Sequence, residues 1–313
     1  MQQFKITIRP CAEHDLEAIA ALVKASWSHD ATISTIYKQS HRVWPSSGLI
    51  RHTLVATVDD SLVGVGTLFE STIHPRMLFV TLNVAPGWQR RGIGSQIWSA
   101  LEALGDRRPW IAKMTRRDQA GMSFLQKRSF KPLVSTLHGL LDPAATAVQA
   151  WIASLPQAAP NYRIINFEDA PATREEVALV HAAIYRQAHE WNPPIEESVD
   201  GALAHYCGPN VLAGSQLCVY RGQQLVGAAN LIVHPFEPES GEAYLVNLGV
   251  VDLPTADADT LTGALIRRSL SFAAARGLRV RFEADDPHQP FQSWLLHAPA
   301  TEVDHEFTIM GNA

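Results

Sequence analysis

Apolar residues along this chain follow two rhythms, the two-residue period of strands and the wider period of helices, and the order of these segments occurs twice. Ile6–Arg9 alternates as a strand. Leu16, Ile19, Ala20 and Leu22 or Val23 form the apolar stripe of a helix from about Asp15 to Lys24. Thr53–Val58 and Leu62–Phe69 read as a hairpin turning at Asp59-Asp60-Ser61. A strand over Leu78–Val84 is stopped by Ala85-Pro86-Gly87. A helix from about Gly94 to Leu104 follows, with Ile97, Leu101 and Leu104 on one face and Gly105 in the position of a C-terminal cap. A strand over Trp110–Met114 and a short helix around Ala120–Lys127 close the first series.

The second series opens with a strand over Tyr162–Ile165 and a helix over Thr173–Ala183. Leu217–Val219 and Leu225–Val233 form a hairpin around Arg221-Gly222-Gln223-Gln224. Then come a strand over Tyr244–Val251, a helix over about Ala258–Ala275 capped by Gly277, and a strand over Leu278–Glu283. Local sequences repeat with the order: Leu62-Val63-Gly64-Val65 matches Leu225-Val226-Gly227-Ala228, and Leu82-Asn83-Val84 matches Leu248-Gly249-Val250. Hairpins followed by a strand–helix–strand unit predict an α+β (mixed α/β) fold rather than a doubly wound sheet. Two tandem domains are expected, residues 1–141 and 161–313, joined by an Ala- and Pro-rich linker at 142–160 whose Ala144–Leu155 is helical.

Composition narrows the function. With 46% hydrophobic and 18% charged residues the chain is globular. The apolar runs are too short to span a membrane and the N-terminus has no signal-peptide core, so a cytoplasmic location without membrane contact is expected. A net charge of −5 with scattered basic residues argues against nucleic-acid binding. The three cysteines fit neither a disulfide framework nor a zinc site, and the thirteen histidines contain no HExxH pair, so no metal is expected. GxSxG, Walker and Rossmann signatures are missing.

The informative segment is Leu82-Asn83-Val84-Ala85-Pro86-Gly87-Trp88-Gln89-Arg90-Arg91-Gly92-Ile93-Gly94-Ser95. An apolar strand enters a loop rich in main-chain N–H groups, and the loop runs into a helix. Glycines allow close approach to the main chain, the helix end contributes a positive dipole, and Arg90 and Arg91 add charge. Together these make a pyrophosphate cradle.

The segment resembles the signature of the Gcn5-related N-acetyltransferases (GNAT), strand then Q/R-x-x-G-x-G/A then helix, and the resemblance extends over roughly residues 4–140. It implies acetyl-CoA as co-substrate, with Gln89, Arg90, Arg91, Gly92, Ile93, Gly94 and Ser95 at the pyrophosphate. It further implies Leu82, Asn83 and Val84 at the pantetheine arm, and the Val84 amide as a one-donor oxyanion hole. Asp118–Phe130 is similar to the family's N-x-x-A-x-x-x-Y-x-x-x-G-F element, with Asp118 for the asparagine, Leu125 for the tyrosine that protonates the departing thiolate, and Ser129 for the glycine. The strand Met77–Val84 has no carboxylate where the family often places its base. Glu70, His74, His29 and Asp30 are the nearby candidates, and Trp27, Tyr37 and Trp44 lie where an acceptor wall is formed. The tandem arrangement is similar to that of two-domain members such as mycothiol synthase, in architecture only.

The expected activity is transfer of an acetyl group to the primary amine of a small molecule by direct attack, in a monomer or homodimer. A catalytically inactive acyl-CoA-binding or regulatory protein is the alternative. A longer-chain acyl donor is a further variant. In the second series, Val251–Asp259 lacks the glutamine, arginines and glycines, and its Asp252, Asp257 and Asp259 are expected to cap and charge-match the next helix. Glu242 and Tyr244 are possible contributors to the acceptor site.

Overall fold

The structure is a computed structural model and describes residues 5–26, 51–116, 118–233, 240–245, 247–288 and 290–311. The chain divides into two compact units: one of Met1–Met114, Gln119–Pro132 and Thr308–Ala313, the other of Thr115–Asp118 and Leu133–Phe307.

The first unit contains β1 (Ile6–Pro10), α1 (Leu16–Ser26), β2 (Arg51–Val58), β3 (Ser61–Glu70), β4 (Leu78–Val84), α2 (Ile93–Glu102), β5 (Trp110–Thr115) and α3 (Gln119–Gln126). Its strands lie in that order, antiparallel as far as β4, with β4 and β5 parallel. Asp59 and Asp60 turn the β2–β3 hairpin with φ of 46° and 61°, the left-handed pair that a two-residue loop between twisted strands needs. Ile19, Leu22 and Val23 of α1 bury against Val55 and Val65.

Helix α2 sits on β3 at a distance that only glycine permits. A methyl group on Gly66 would lie 2.4 Å from Ile97 Cγ2, and one on Gly64 2.9 Å from Ile97 Cδ1. On the helix's other flank, Trp98 packs against Trp110, Phe124 and Phe130, with ring centroids 4.9 to 5.7 Å away. Its indole N–H donates to Glu102 at 2.7 Å.

The second unit runs through β6 (Lys131–Leu141, its first two residues in the first unit), α4 (Thr146–Ser154), β7 (Tyr162–Asn166), α5 (Arg174–Ala188), α6 (Val199–Tyr206), β8 (Leu217–Arg221), β9 (Gln224–Ala229) and β10 (Ile232–Val233). It continues with β11 (Glu242–Leu245), β12 (Leu248–Val250), α7 (Thr255–Ala274), β13 (Arg279–Asp285), α8 (Phe291–Leu295) and β14 (Thr301–Gly311), whose last four residues also belong to the first unit. One antiparallel sheet has the order β12-β9-β8-β7, and a second set runs β10-β11-β13-β6 with β11 and β13 parallel. Each unit therefore has a strand–helix–strand parallel pair at the same place in the element order.

The expected mixed α/β fold, mostly antiparallel, is what the chain adopts. Gly105 and Gly277 take φ of +81° and +65° just beyond α2 and α7, as their cap positions require. Strands β6 and β14 and helices α6 and α8 were not expected from the sequence, the helix expected within 142–160 is present, and further details differ. Leu225–Val233 is two strands, because the Asn230 side chain turns to donate to the Tyr206 carbonyl and Leu231 N–H donates to Ser215 Oγ. Tyr244–Val251 also breaks: β11 pairs with β13 and β12 with β9, so the strand changes sheets at residues 246–247. Residues 142–160 hold α4, whose Val148 and Ile152 belong with Leu155 to the second unit's core. Finally, α7 is preceded by Pro254 with no side-chain cap, and Asp257 accepts from the Tyr162 hydroxyl at 2.7 Å; it is a first-turn acid rather than a cap.

Two consequences can be measured. Gly66→Ala forces its methyl into Ile97 and should lower stability by about 1–3 kcal/mol, the usual cost of overpacking. Adding Ile97→Ala to that chain should recover part of the loss; strictly additive effects in denaturant titrations would show that the contact is not limiting.

His181 is fully buried, and neither ring nitrogen has a hydrogen-bond partner. Burial pushes its pKa down to about 3, against roughly 6.5 for an exposed imidazole. Between those values the unfolded chain binds a proton that the native state refuses, so stability falls as pH falls, by at most about 1.4 kcal/mol per pH unit. His181→Phe should flatten this limb in urea titrations between pH 7 and pH 4. An unchanged slope would assign the acid sensitivity to other groups.

Candidate active site

Strand β4 has two unequal neighbours. It pairs with β3 along its whole length, from Glu70↔Leu78 to Gly64↔Val84. Its parallel pairing with β5 covers only Leu78↔Trp110 and Phe79↔Ile111, after which the strands diverge. The orientation of each peptide group follows from the ladder. Ala85 N–H donates to the Val63 carbonyl, so Ala85 and Val63 are a hydrogen-bonded pair and the pairs alternate from there. Asn83 directs its main chain at β3, and its side chain is only 5% exposed. Leu82 and Val84 direct theirs to the β5 side, as does Leu78, whose N–H donates to Pro109 next to β5. Of the three residues expected on the pantetheine arm, two thus present main-chain groups to the opening.

The loop after β4 is built to face outward. Gln89, Arg90, Arg91 and Gly92 are all exposed. Arg90 has a φ of +62° and Gly92 of +83°, which carry the chain round into α2. No side chain caps that helix, and its first intrahelical bond is Gln96 N–H to the Gly92 carbonyl, so the N–H groups of Ile93, Gly94 and Ser95 lie in the unbonded first turn. The Gln89 side chain donates to the Val84 carbonyl at 3.2 Å, tying the loop to the strand end.

Arg128 was not singled out by the sequence. It donates to Ser95 Oγ at 3.1 Å and stacks on Phe124 at 3.6 Å, bringing a third guanidinium to the helix start. Between Val84 and Leu101 there is no acidic residue. The donor set suits a polyanion.

The sequence of residues 16–129 matches the model of the acetyltransferase (GNAT) family. The first unit carries a GNAT acetyltransferase domain. Solved structures extend the likeness of fold to the whole chain. A GCN5-related N-acetyltransferase from Sphaerobacter thermophilus is 13% identical, with a TM-score of 0.66 over 98% of this chain and 95% of its own. A tandem GNAT protein from the clavulanic acid biosynthesis pathway is 15% identical, with a TM-score of 0.62 over 98% of both chains. No curated protein matches the sequence.

Several GNAT-domain positions can now be placed. Ser129, at the family's glycine position, has a φ of +62°, the conformation glycine serves there. Leu125, at the tyrosine position, is 5% exposed and supplies no proton. Asp118 falls in the second unit, where its N–H donates to the Thr115 carbonyl.

Glu70 and His74 are at the opposite end of β4 from Val84. Glu70 pairs with Leu78, and six residues of strand, about 20 Å, separate Leu78 from Val84. Glu70 is instead bound by Arg108 at 2.7 Å, which also holds Asp106 and the Pro75 carbonyl. His74 is buried, its main chain held by Ser71 Oγ. The structure does not bring either to the Val84 amide. Asp30, His29, Trp27, Tyr37 and Trp44 lie outside the described residues.

The thiols are poorly suited to act as nucleophiles. Burial raises Cys11 to about 11 and Cys218 to about 12, far above neutral pH for a thiolate nucleophile. Among the described residues no group of histidine, cysteine, aspartate and glutamate is placed to hold a metal ion, and no helix is long and apolar enough to cross a membrane.

The second unit differs at the corresponding place. After β12 come Val251-Asp252-Leu253-Pro254, with neither glycine nor arginine in the turn, and Asp252 has a φ of +55°. Beside β12, a methyl on Gly249 would lie 3.6 Å from His288 Nε2, so that imidazole occupies the flank of the strand.

Glu70→Gln removes the Arg108 ion pair without touching the Val84 end. It should lower kcat less than about fivefold while reducing thermal stability. A loss of several orders of magnitude in kcat would make Glu70 the base.

Proposed function

We propose that the GNAT domain binds acetyl-CoA and that the enzyme transfers its acetyl group to the primary amine of a small molecule by direct attack. The observation that carries this reading is the divergence of β4 from β5, ending at a Val84 N–H that faces the opening immediately before an exposed, glycine-bearing helix start. The donor, when bound, supplies an activated thioester. Main-chain amides of Arg90–Ser95, with the Arg90 and Arg91 side chains, hold its pyrophosphate through charge-assisted bonds, while Gln89 braces the loop through its bonds to Pro86 and Val84. Leu82 and Val84 orient the pantetheine arm through their main chains, whereas Asn83 contributes by fixing the strand to β3.

Val84 N–H donates a hydrogen bond at the thioester carbonyl oxygen, where negative charge develops. Its direction is fixed by the β3 ladder on one side and by Gln89 on its own carbonyl. Leu125, which takes the tyrosine's place, returns no proton, and no carboxylate lies on β4. Water carries the proton, and positioning supplies most of the rate. The buried Leu125 also favours the alternative of an acyl-CoA-binding protein without turnover; CoA release with any amine in a panel of polyamines, amino acids and aminoglycosides excludes it.

Three measurements test the reading together. Calorimetry should give one acetyl-CoA site per chain, and Gly92→Asp should abolish it, because a carboxylate then faces the pyrophosphate from a residue strained at φ +83°. Val84→Pro deletes one N–H that β3 does not use. It should leave CoA affinity within about threefold and lower kcat by about 100- to 1000-fold. Wild-type affinity in Gly92→Asp, or two equivalent sites, would refute the assignment of the cofactor site. Full kcat in Val84→Pro would remove the amide from the mechanism.

A further inference from the structure

The second unit has a cleft of about 600 Å³ beside the middle of α7, a size typical of small-molecule sites. Ala264, Arg267, Arg268, Ser271 and Phe272 of α7 form one wall. Ile164 and Asn166 of β7, Leu217 of β8 and residues 156–158 form the other. The lining is mixed: Ile164, Leu217 and Phe272 supply apolar surface, and two guanidinium groups stand among them with Asn166, Ser215 and Ser271. No aspartate or glutamate lines the cleft.

We propose that this cleft binds a small organic anion, a carboxylate or phosphate headgroup on an apolar body. The case rests on how the arginines are held. Arg267 donates to the Leu155 carbonyl at 2.9 Å. Arg268 donates to the Ile164 carbonyl at 3.1 Å and to Asn166 Oδ1 at 3.3 Å. All three acceptors are neutral. They fix the planes of the guanidinium groups and leave the two charges uncompensated, and among the described residues neither arginine meets a carboxylate.

A guanidinium carries five N–H donors, so Arg267 with one bond and Arg268 with two retain the forked donors that recognise an oxyanion. A third cation stands at the rim: Arg276 stacks on Phe272 at 3.5 Å and approaches Gly214, both cleft residues. Cations without acidic partners beside the apolar surface of Ile164, Leu217 and Phe272 describe an amphipathic anion better than a purely apolar ligand or a cationic one. The site lies wholly in the second unit and does not depend on acetyl-CoA binding to the first.

The test uses 1-anilinonaphthalene-8-sulfonate, an anionic headgroup on an apolar ring system, titrated into the full chain by fluorescence. Wild type should show a saturable site that the neutral parent, N-phenyl-1-naphthylamine, fills at least tenfold more weakly. Arg268→Gln, at an exposed position, should weaken the anionic probe about tenfold, and Arg267→Gln with Arg268→Gln further. Ser271→Trp keeps both arginines and fills the cleft; it should abolish the site while circular dichroism shows a folded chain. Phenylacetate and phenyl phosphate should displace the probe, and the stronger of the two identifies the headgroup. Absence of a saturable site in wild type, unchanged binding in Ser271→Trp or in the double arginine variant, or no displacement by either anion would each overturn the proposal.

Discussion

Everything that positions the candidate site depends on the contact between α2 and β3. Ile97 reaches the sheet only because Gly64 and Gly66 have no side chains, and Trp98, fixed by Trp110, Phe124 and Phe130, prevents the helix from sliding away. Since β3 is paired with β4 to its last residue, a helix seated on β3 is also fixed relative to the end of β4. The eight residues between Val84 and Ile93 therefore span two points that the core holds still. A loop with such ends, stiffened by the 3-10 turn at Pro86–Trp88, can present main-chain N–H groups in a set direction, which preorganised binding requires. Gln89 tightens the arrangement by bonding back to Val84.

A parallel strand that leaves its neighbour after two residues gives up ladder hydrogen bonds that a continuous sheet would make, each worth about 1 kcal/mol net. The two units handle this differently. In the first, β4 keeps β3 and turns the main chain of Leu82 and Val84 toward the opening. In the second, the corresponding strand changes partner: β11 remains with β13, and β12 crosses to β9. His288 then lies along β12, with an imidazole that burial and the neighbouring His189 push down to about 4, so it is neutral at physiological pH. A neutral ring in that position offers a phosphate ester no charge, and the turn that follows contains Asp252 in place of arginine and glycine. One duplicated topology thus leads to an exposed turn with glycine and arginine in one unit and to an aspartate-bearing turn beside a neutral imidazole in the other.

The pattern of apolar residues was enough to find β4 to the residue and most of the longer helices to within about five positions, because one-sided burial imposes its period on neighbouring residues, but the short α6 and α8 were missed. The glycine loop was legible for a related reason: its chemistry is carried by consecutive residues. Ser129 could be assigned from its place in a motif, and its φ of +62° agrees. What sequence could not supply were pairings between distant segments. Arg128 meets Ser95 across 33 residues and Glu70 meets Arg108 across 38, and nothing local to either residue marks its partner. The same holds for the break in β11–β12, whose apolar run continues while its hydrogen-bond partners change.

Among the described residues no acid or base is placed at Val84, yet this does not leave the proposed reaction without a source of rate. Holding an amine against a thioester converts an encounter into an intramolecular step, and effective molarities for well-oriented pairs reach about 10⁵–10⁸ M. One preorganised donor at the developing oxyanion contributes a further factor of about 10²–10³. General acid–base catalysis typically adds about 10²–10⁴, so its absence makes the enzyme slower without making it inert. Transfer through an acyl-cysteine would relieve the demand on positioning, but the burial-raised thiols of Cys11 and Cys218 make that route unfavourable. On the proposed mechanism the weight of catalysis rests on the geometry of β4, and the precision of that geometry follows from α2 resting on two glycines.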